Sequence, residues 1–367
     1  MIKKLLLLSF LVFAVTAYSF SQADFLSHDF RKTDSIAISI KLHHEDYFKL
    51  TNDLIAPFNN DTDRVRAIFR WVADNIAYDY KTFNKQEGDP VFECKNNNNC
   101  SAEEILYNTQ LIHEMLKKKK AVSNGYALLF KTMCTIANIK SDVVTGYVKT
   151  KAYQIGTSLP ADHAWNIVKI DSNWYCLDVT WAAGQDSTDD ETDELVGWTK
   201  HFTPFFFCTP YDKFIRDHFQ EYADELKFMD SRNSKEDFFN FPFFYSIEAL
   251  NNIEKLKPFT GMLKAKLGDT LVFTIKYKKP FTHFQLNSNI QRSPSIYTEV
   301  GKGKTKTTVI DPYMMTKQVY YPFERKGDLI IVKYIVTSQS MYYIDLLFDY
   351  KPAVRYRISI PWSNNNN

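Results

Sequence analysis

Three residues of the 367-residue chain are of the types that together carry out acyl transfer: Ser123 in "KKKKAVSNGYALLFK", His163 in "DHAWN" and Asp178 in "WYCLDVTW". A nucleophile at a helix N-terminus gains from the helix dipole and from free backbone N–H groups that can hold an oxyanion. A histidine takes its proton, and a carboxylate fixes the tautomer of that histidine. The order fits, with a helix start, a strand start and the end of the next strand. Spacing alone does not join the groups. If Ser172 and Asn173 form a two-residue turn, Asp178 faces Ile167 and leaves the same side as His163, but four residues of offset still amount to about 13 Å. A bulge, or a histidine ahead of the strand and folded back, has to close that gap. Ser123 also has a second reading with no chemistry in it, because serine is among the best helix N-caps. A hydrolase-type nucleophile elbow is excluded, since it needs glycine where Ala121 stands.

Other candidates are weaker. Cys176 leaves the same strand face as Asp178, but its aromatic and apolar neighbours mark it as core filling. Cys134 shares a helix with Ser123 three turns away, about 16 Å, too far to join the same site. The five cysteines are an odd number, and only "CKNNNNC" looks like a local pair, either a disulfide from Cys94 to Cys100 or two separate surface thiols. No second Cys or His pair stands at ligand spacing, so neither a metal nor a cofactor is expected. Lys117 to Lys120 read as a solvated helix end, favourable at a C-terminus. Trp165 and Trp181 read as walls of the cleft or as core.

The elements that must position these residues are legible from periodicity. In "DTDRVRAIFRWVADNIAYDY" (61–80), Val65, Ile68, Phe69, Val72 and Ile76 form a helical stripe behind Asp and Thr cap candidates. A polar surface loop follows, then helical "SAEEILYNTQLIHEMLKKKK" and a buried helix that starts at Ser123 or one residue before it. After Lys140 the pattern alternates: "SDVVTGYVKT", "DHAWNIVKI" and "NWYCLDVTW" are strand candidates with a "DSN" hairpin turn between the last two. A helix against consecutive antiparallel strands gives an α+β domain over residues 22–245. Beyond about Phe241 the helices stop. Alternation of Leu263, Ala265 and Leu267, then Leu271, Phe273 and Ile275, and later Val354, Tyr356, Ile358 and Ile360, predicts an antiparallel β-sandwich over 246–362, ahead of a polar tail at 363–367.

The first 21 residues have a basic start, an apolar run from Leu5 to about Ala17, and small residues at Ala17, Ser19 and Ser21. That is the layout of a signal peptide cleaved after Ser19 or Ser21, shorter than the roughly 20 apolar residues of a membrane anchor. The mature chain is expected to be secreted or periplasmic with no transmembrane segment. The formal net charge of +2 includes Lys3 and Lys4, so the mature chain is close to neutral and offers no electrostatic case for nucleic acid.

Taken together, "RAIFRWVADNIAYDY", "KAVSNGYALLFKTMCTIANIKSDVVTGYVKT" and "DHAWNIVKIDSNWYCLDVTW" resemble the transglutaminase-like domain, in the bacterial branch similar to the kyphoscoliosis-peptidase group. "FFFCTPYDKFIRDHF" looks like that branch's continuation, so the resemblance covers about residues 50–245. It implies a papain-like core, followed here by an all-β immunoglobulin-like sandwich, and maps the family's Cys, His, Asp triad onto Ser123, His163 and Asp178. The papain-like fold would bring His163 and Asp178 together. The departure is at the nucleophile. A thiol beside histidine can rest as a thiolate, whereas a hydroxyl needs the base to take its proton during attack. Each tenfold loss of rate is only about 1.4 kcal/mol of barrier, so losses of orders of magnitude are expected. The leading expectation is a catalytically degenerate member that binds a protein, a peptide or a cell-envelope component. The competing expectation is a peptidase or amide hydrolase/acyltransferase using Ser123, His163 and Asp178.

Overall fold

The computed structural model describes residues 25, 28–41, 46–85, 92, 94, 99–189, 191–222, 233–301 and 307–361. The expected signal peptide and C-terminal tail lie outside them. Five helices build the first layer: α1 (Arg31–Ser39), α2 (Tyr47–Ile55), α3 (Asp61–Asn75), α4 (Cys100–Lys118) and α5 (Ser123–Ile136). The stripe read for α3 is the face it buries. Its cap is Asn60, whose side chain accepts from Asp63 N–H, one residue ahead of the Asp and Thr candidates. Arg66 is buried on α3 and bonds Asp34 of α1 through two nitrogens at 2.7 and 2.8 Å, which ties the first helix to the core.

The second layer is an antiparallel sheet of β1 (Ser141–Val148), β2 (His163–Ile170), β3 (Asn173–Leu177) and a late strand, β4 (His218–Gln220), in the order β3-β2-β1-β4. Helix α5 crosses this sheet and is the hub of the core: Tyr126, Phe130, Met133 and Cys134 are all solvent-free. Two hydrogen bonds set its position, from Tyr126 Oη to the Ile76 carbonyl at 2.6 Å and from Asn166 Nδ2 on β2 to the Ala127 carbonyl at 2.9 Å. Gly125 is required in its first turn, because a Cβ there would lie 2.8 Å from Met115 Sδ and 2.9 Å from Ala121 Cβ.

Two readings near the site need correction. The β2–β3 turn is Asp171–Ser172, with Asp171 at φ 53°, so Ile170 pairs with Asn173 and Ile167 with Cys176. Asp178 therefore lines up two residues from His163, about 7 Å along the strand rather than 13. The segment "NWYCLDVTW" is also not one strand: β3 ends at Leu177, and Asp178 caps a short helix, α6 (Val179–Ala183).

The C-terminal part is a two-sheet sandwich, as expected, around a core of Phe273, Ile344, Val354 and Tyr356, all solvent-free, but it is not wholly antiparallel, since Met262–Lys264 runs parallel to the end of the last strand. One sheet holds Ile253–Lys257, Thr270–Tyr277, Leu329–Ile335 and Glu324–Lys326 in that order. The other holds Met262–Lys264, Lys351–Ser359, Tyr343–Phe348 and Phe284–Ser288. Short helices persist past Phe241, at Ile247–Asn252 and Pro312–Met315, and Leu267 is exposed rather than facing the core. Phe243–Phe244 pairs with Val354 and Arg355 of the last strand, so the sandwich sheet begins ahead of residue 246. Among the described residues, no helix is long and apolar enough to cross a membrane.

Candidate active site

His163 opens β2, and Asp178 stands just past the end of β3, where the chain turns into α6. Asp178 is fully buried. Its Oδ1 accepts from Trp181 N–H at 3.0 Å, as an N-cap does, and its Oδ2 lies 2.7 Å from His163 Nε2. A carboxylate only accepts, so His163 Nε2 carries the proton and its Nδ1 is left for the other side of the ring. Neither a bulge nor a fold-back brings the pair together. The shifted turn removes half of the expected offset, and the helix-capping geometry of Asp178 supplies the rest.

Ser123 is the first residue of α5 and is buried, 5% exposed. Val122 occupies the capping position, and no side chain caps the helix. The cap reading of Ser123 is therefore corrected, and its hydroxyl has no capping work to do. The Asn166–Ala127 bond lays the first two turns of α5 over β2, the strand that His163 begins.

The sequence reading missed a fourth and a fifth member. His218, on β4, places Nε2 3.1 Å from the same Asp178 Oδ2 and Nδ1 2.6 Å from Asp217 Oδ1. Both acceptors are carboxylates, so both ring nitrogens donate and the ring is an imidazolium. Burial alone would lower the His218 pKa. The charge of Asp217 and the bonds to both carboxylates outweigh it and raise the value to about 9. For Asp178, burial pushes the carboxyl up, but the charge and hydrogen bond of His163, followed by those of His218, hold it well below the usual carboxylate range. The signal was present in "YDKFIRDHF", which the family resemblance had marked without assigning its histidine.

Aromatic rings wall the cluster. Trp165 stacks on His163 at 6.2 Å between centroids, and Trp181 lies 5.6 Å from His163 and 4.4 Å from His218, so both tryptophans line the site. Phe214 stacks on His218 at 4.1 Å. Gly146 on β1 makes this packing possible, since a Cβ there would meet the Phe219 carbonyl of β4 at 2.2 Å and Trp165 at 2.7 Å. His163, Asp178 and His218 bring one ligand-type atom each within 4.8 Å of one another. Both Nε2 atoms already donate to the carboxylate oxygen, so the arrangement is a hydrogen-bonded one.

The remaining cysteines lie elsewhere. Cys134, Cys176 and Cys208 are buried thiols outside the disulfide, and burial pushes the pKa of each upward, so none is a nucleophile in waiting. Cys94 and Cys100 form a disulfide, with Cα atoms 5.2 Å apart, which resolves the two readings of "CKNNNNC".

Residues 49–179 match the family model described as "Transglutaminase-like superfamily". The chain is 30% identical over 175 residues to kyphoscoliosis peptidase of Mus musculus, covering 47% of this chain and 23% of that protein. It is 25% identical over 159 residues to hillarin of Drosophila melanogaster, covering 42% of this chain and 17% of that protein. The chain thus spans about a quarter or less of the length of these relatives. A crystal structure of a TGase aligns with TM-score 0.26 and 16% identity over 49% of this chain and 39% of that one. The region that places Ser123, His163 and Asp178 is a transglutaminase-like domain, with kyphoscoliosis peptidases among its distant relatives.

Proposed function

We propose that this is an exported, bacterial-branch transglutaminase-like protein whose cleft binds a peptide or a cell-envelope component without acyl transfer. The observation that carries the reading is the hydroxyl of Ser123 at the head of α5, where the family pattern has a thiol. The base and its orienting carboxylate are assembled at 2.7 Å, so the substitution falls on the nucleophile alone. A thiol at a helix N-terminus beside histidine ionises, whereas a hydroxyl does not, and Oγ is shorter in reach than Sγ. What remains is a ring-walled, partly charged site, which this reading takes to hold an amide or acyl group. The named activity of the mouse relative, a peptidase, supports peptide as the class of ligand.

The second reading, a serine hydrolase in which Ser123 attacks, His163 is the base and Asp178 orients it, is favoured by one observation: the Ser123 side chain is not used as a cap. Fluorophosphonate labelling separates the two. No modification of Ser123 is expected. Modification that disappears in His163→Ala would overturn the binding reading and establish the hydrolase. Ser123→Cys is expected to gain iodoacetamide reactivity at neutral pH above that of an exposed thiol.

A further inference from the structure

Asp178 is a shared carboxylate. His163 Nε2 and His218 Nε2 converge on its Oδ2 at 2.7 and 3.1 Å, while Trp181 N–H holds Oδ1 at 3.0 Å. A nucleophile, base and orienting carboxylate need one histidine on that oxygen, so His218 is surplus to them. It is also no bystander. The ring is solvent-free, stacked on Phe214 at 4.1 Å and set edge-on to Trp181 at 4.4 Å, with Nδ1 tied to Asp217 at 2.6 Å. A buried cation is tolerated only when paired, and this one is paired on both sides.

We infer that His218, clamped as an imidazolium between Asp217 and Asp178, is a positioning residue: it fixes the Asp178 carboxylate and takes up part of its charge, so that the carboxylate holds the His163 ring with Nε2 toward it and Nδ1 open. A second charged donor on the same carboxylate oxygen removes its freedom to turn and shares its charge between two rings. With Nε2 committed to Asp178, the open Nδ1 of His163 can accept a hydrogen bond or a proton from a hydroxyl or a bound amide. Other charged groups act on the pair as well: Asp162 and Asp186 on His163, and Lys149 and Arg216 on Asp217. They are left in place below, so their influence is common to every variant.

The inference rests on reading the cleft as the transglutaminase-like site, and the test separates the two. In nitrogen-detected NMR of the full chain at pH 7, His218 is expected with both ring nitrogens protonated and His163 with its Nε2 proton hydrogen-bonded to Asp178. In His218→Gln/Asp217→Asn, the glutamine amide still donates to Asp178 but carries no charge, so the His163 Nε2–H bond to Asp178 is expected to strengthen and its proton resonance to move downfield. A neutral His218 in the wild-type spectrum, or an unmoved His163 Nε2–H resonance in the folded double variant, overturns the inference. Should the double variant not fold, Asp217→Asn alone is expected to lower the His218 midpoint and to move the His163 Nε2–H resonance downfield, and no change in either overturns the inference. A Ser123→Cys thiol no more reactive than a free one would sink the cleft reading while leaving the NMR outcome to stand or fall by itself.

Discussion

The two sides of the proposed site, a base side at His163, Asp178 and His218 and a nucleophile side at Ser123, are built in opposite ways. On the base side, Asp178 is fixed by three hydrogen bonds, His218 by two carboxylates, and both histidines by surrounding rings. On the nucleophile side, Ser123 enters a helix without a cap, and its position rests on apolar packing around Gly125 and on backbone bonds further along α5. The contrast teaches that the base side is fixed by charge, and so responds to pH and to polar substitutions. The nucleophile side is fixed by shape, and so responds to volume.

The most severe way to break the comparison is Asp178→Ala. It leaves the His218 cation buried beside one carboxylate and removes a helix cap, so a loss of about 4 kcal/mol is expected in urea unfolding. A loss below 1 kcal/mol would mean that the base side is not held by charge. The pH dependence comes next. His218 binds its proton more tightly in the folded state, at about 9 against the ordinary 6.5, so its contribution is fully present below pH 6.5 and is lost as pH rises through 9. That amounts to about 3 kcal/mol across the window, and it should vanish in His218→Gln. Equal slopes in the two proteins would contradict it.

On the other side, Gly125→Ala should cost about 1–2 kcal/mol with no change in the pH profile, because the added methyl meets Met115 and Ala121. The smallest effect sharpens the comparison most. Ser123→Ala is expected to change stability by less than about 0.5 kcal/mol, whereas loss of an N-cap serine costs about 1. A loss of about 1 kcal/mol in urea unfolding would restore the cap reading.

Much of this was legible in the sequence. The stripe of α3, the start of α5 at Ser123 and the pairing of β1, β2 and β3 follow from period and turn chemistry, and the motifs around His163 and Asp178 gave their partnership before any distance was known. Register was less legible. Asp171, Ser172 and Asn173 all suit a turn, and the choice of Asp171–Ser172 moves every pairing by two. The helical half of "LDVTW" was hidden because Val179 and Thr180 are strand-prone, and a tertiary setting overrode that preference. His218 could not be found by spacing at all. It reaches Asp178 from 40 residues away, on a strand paired with the far edge of β1.

The pairing of Phe243–Phe244 with the last strand has a consequence for how the molecule comes apart. Tyr245 N–H also bonds the Ala353 carbonyl, and the same stretch follows Phe238, Phe239 and Phe241, whose carbonyls hold the buried Lys149, the residue after β1. The connector is thus woven into both halves, and a protease cut or a truncation within it would strip an edge from the sandwich and an anchor from the cleft at once. The two halves have separate cores, yet they share this connector, and they are expected to melt together.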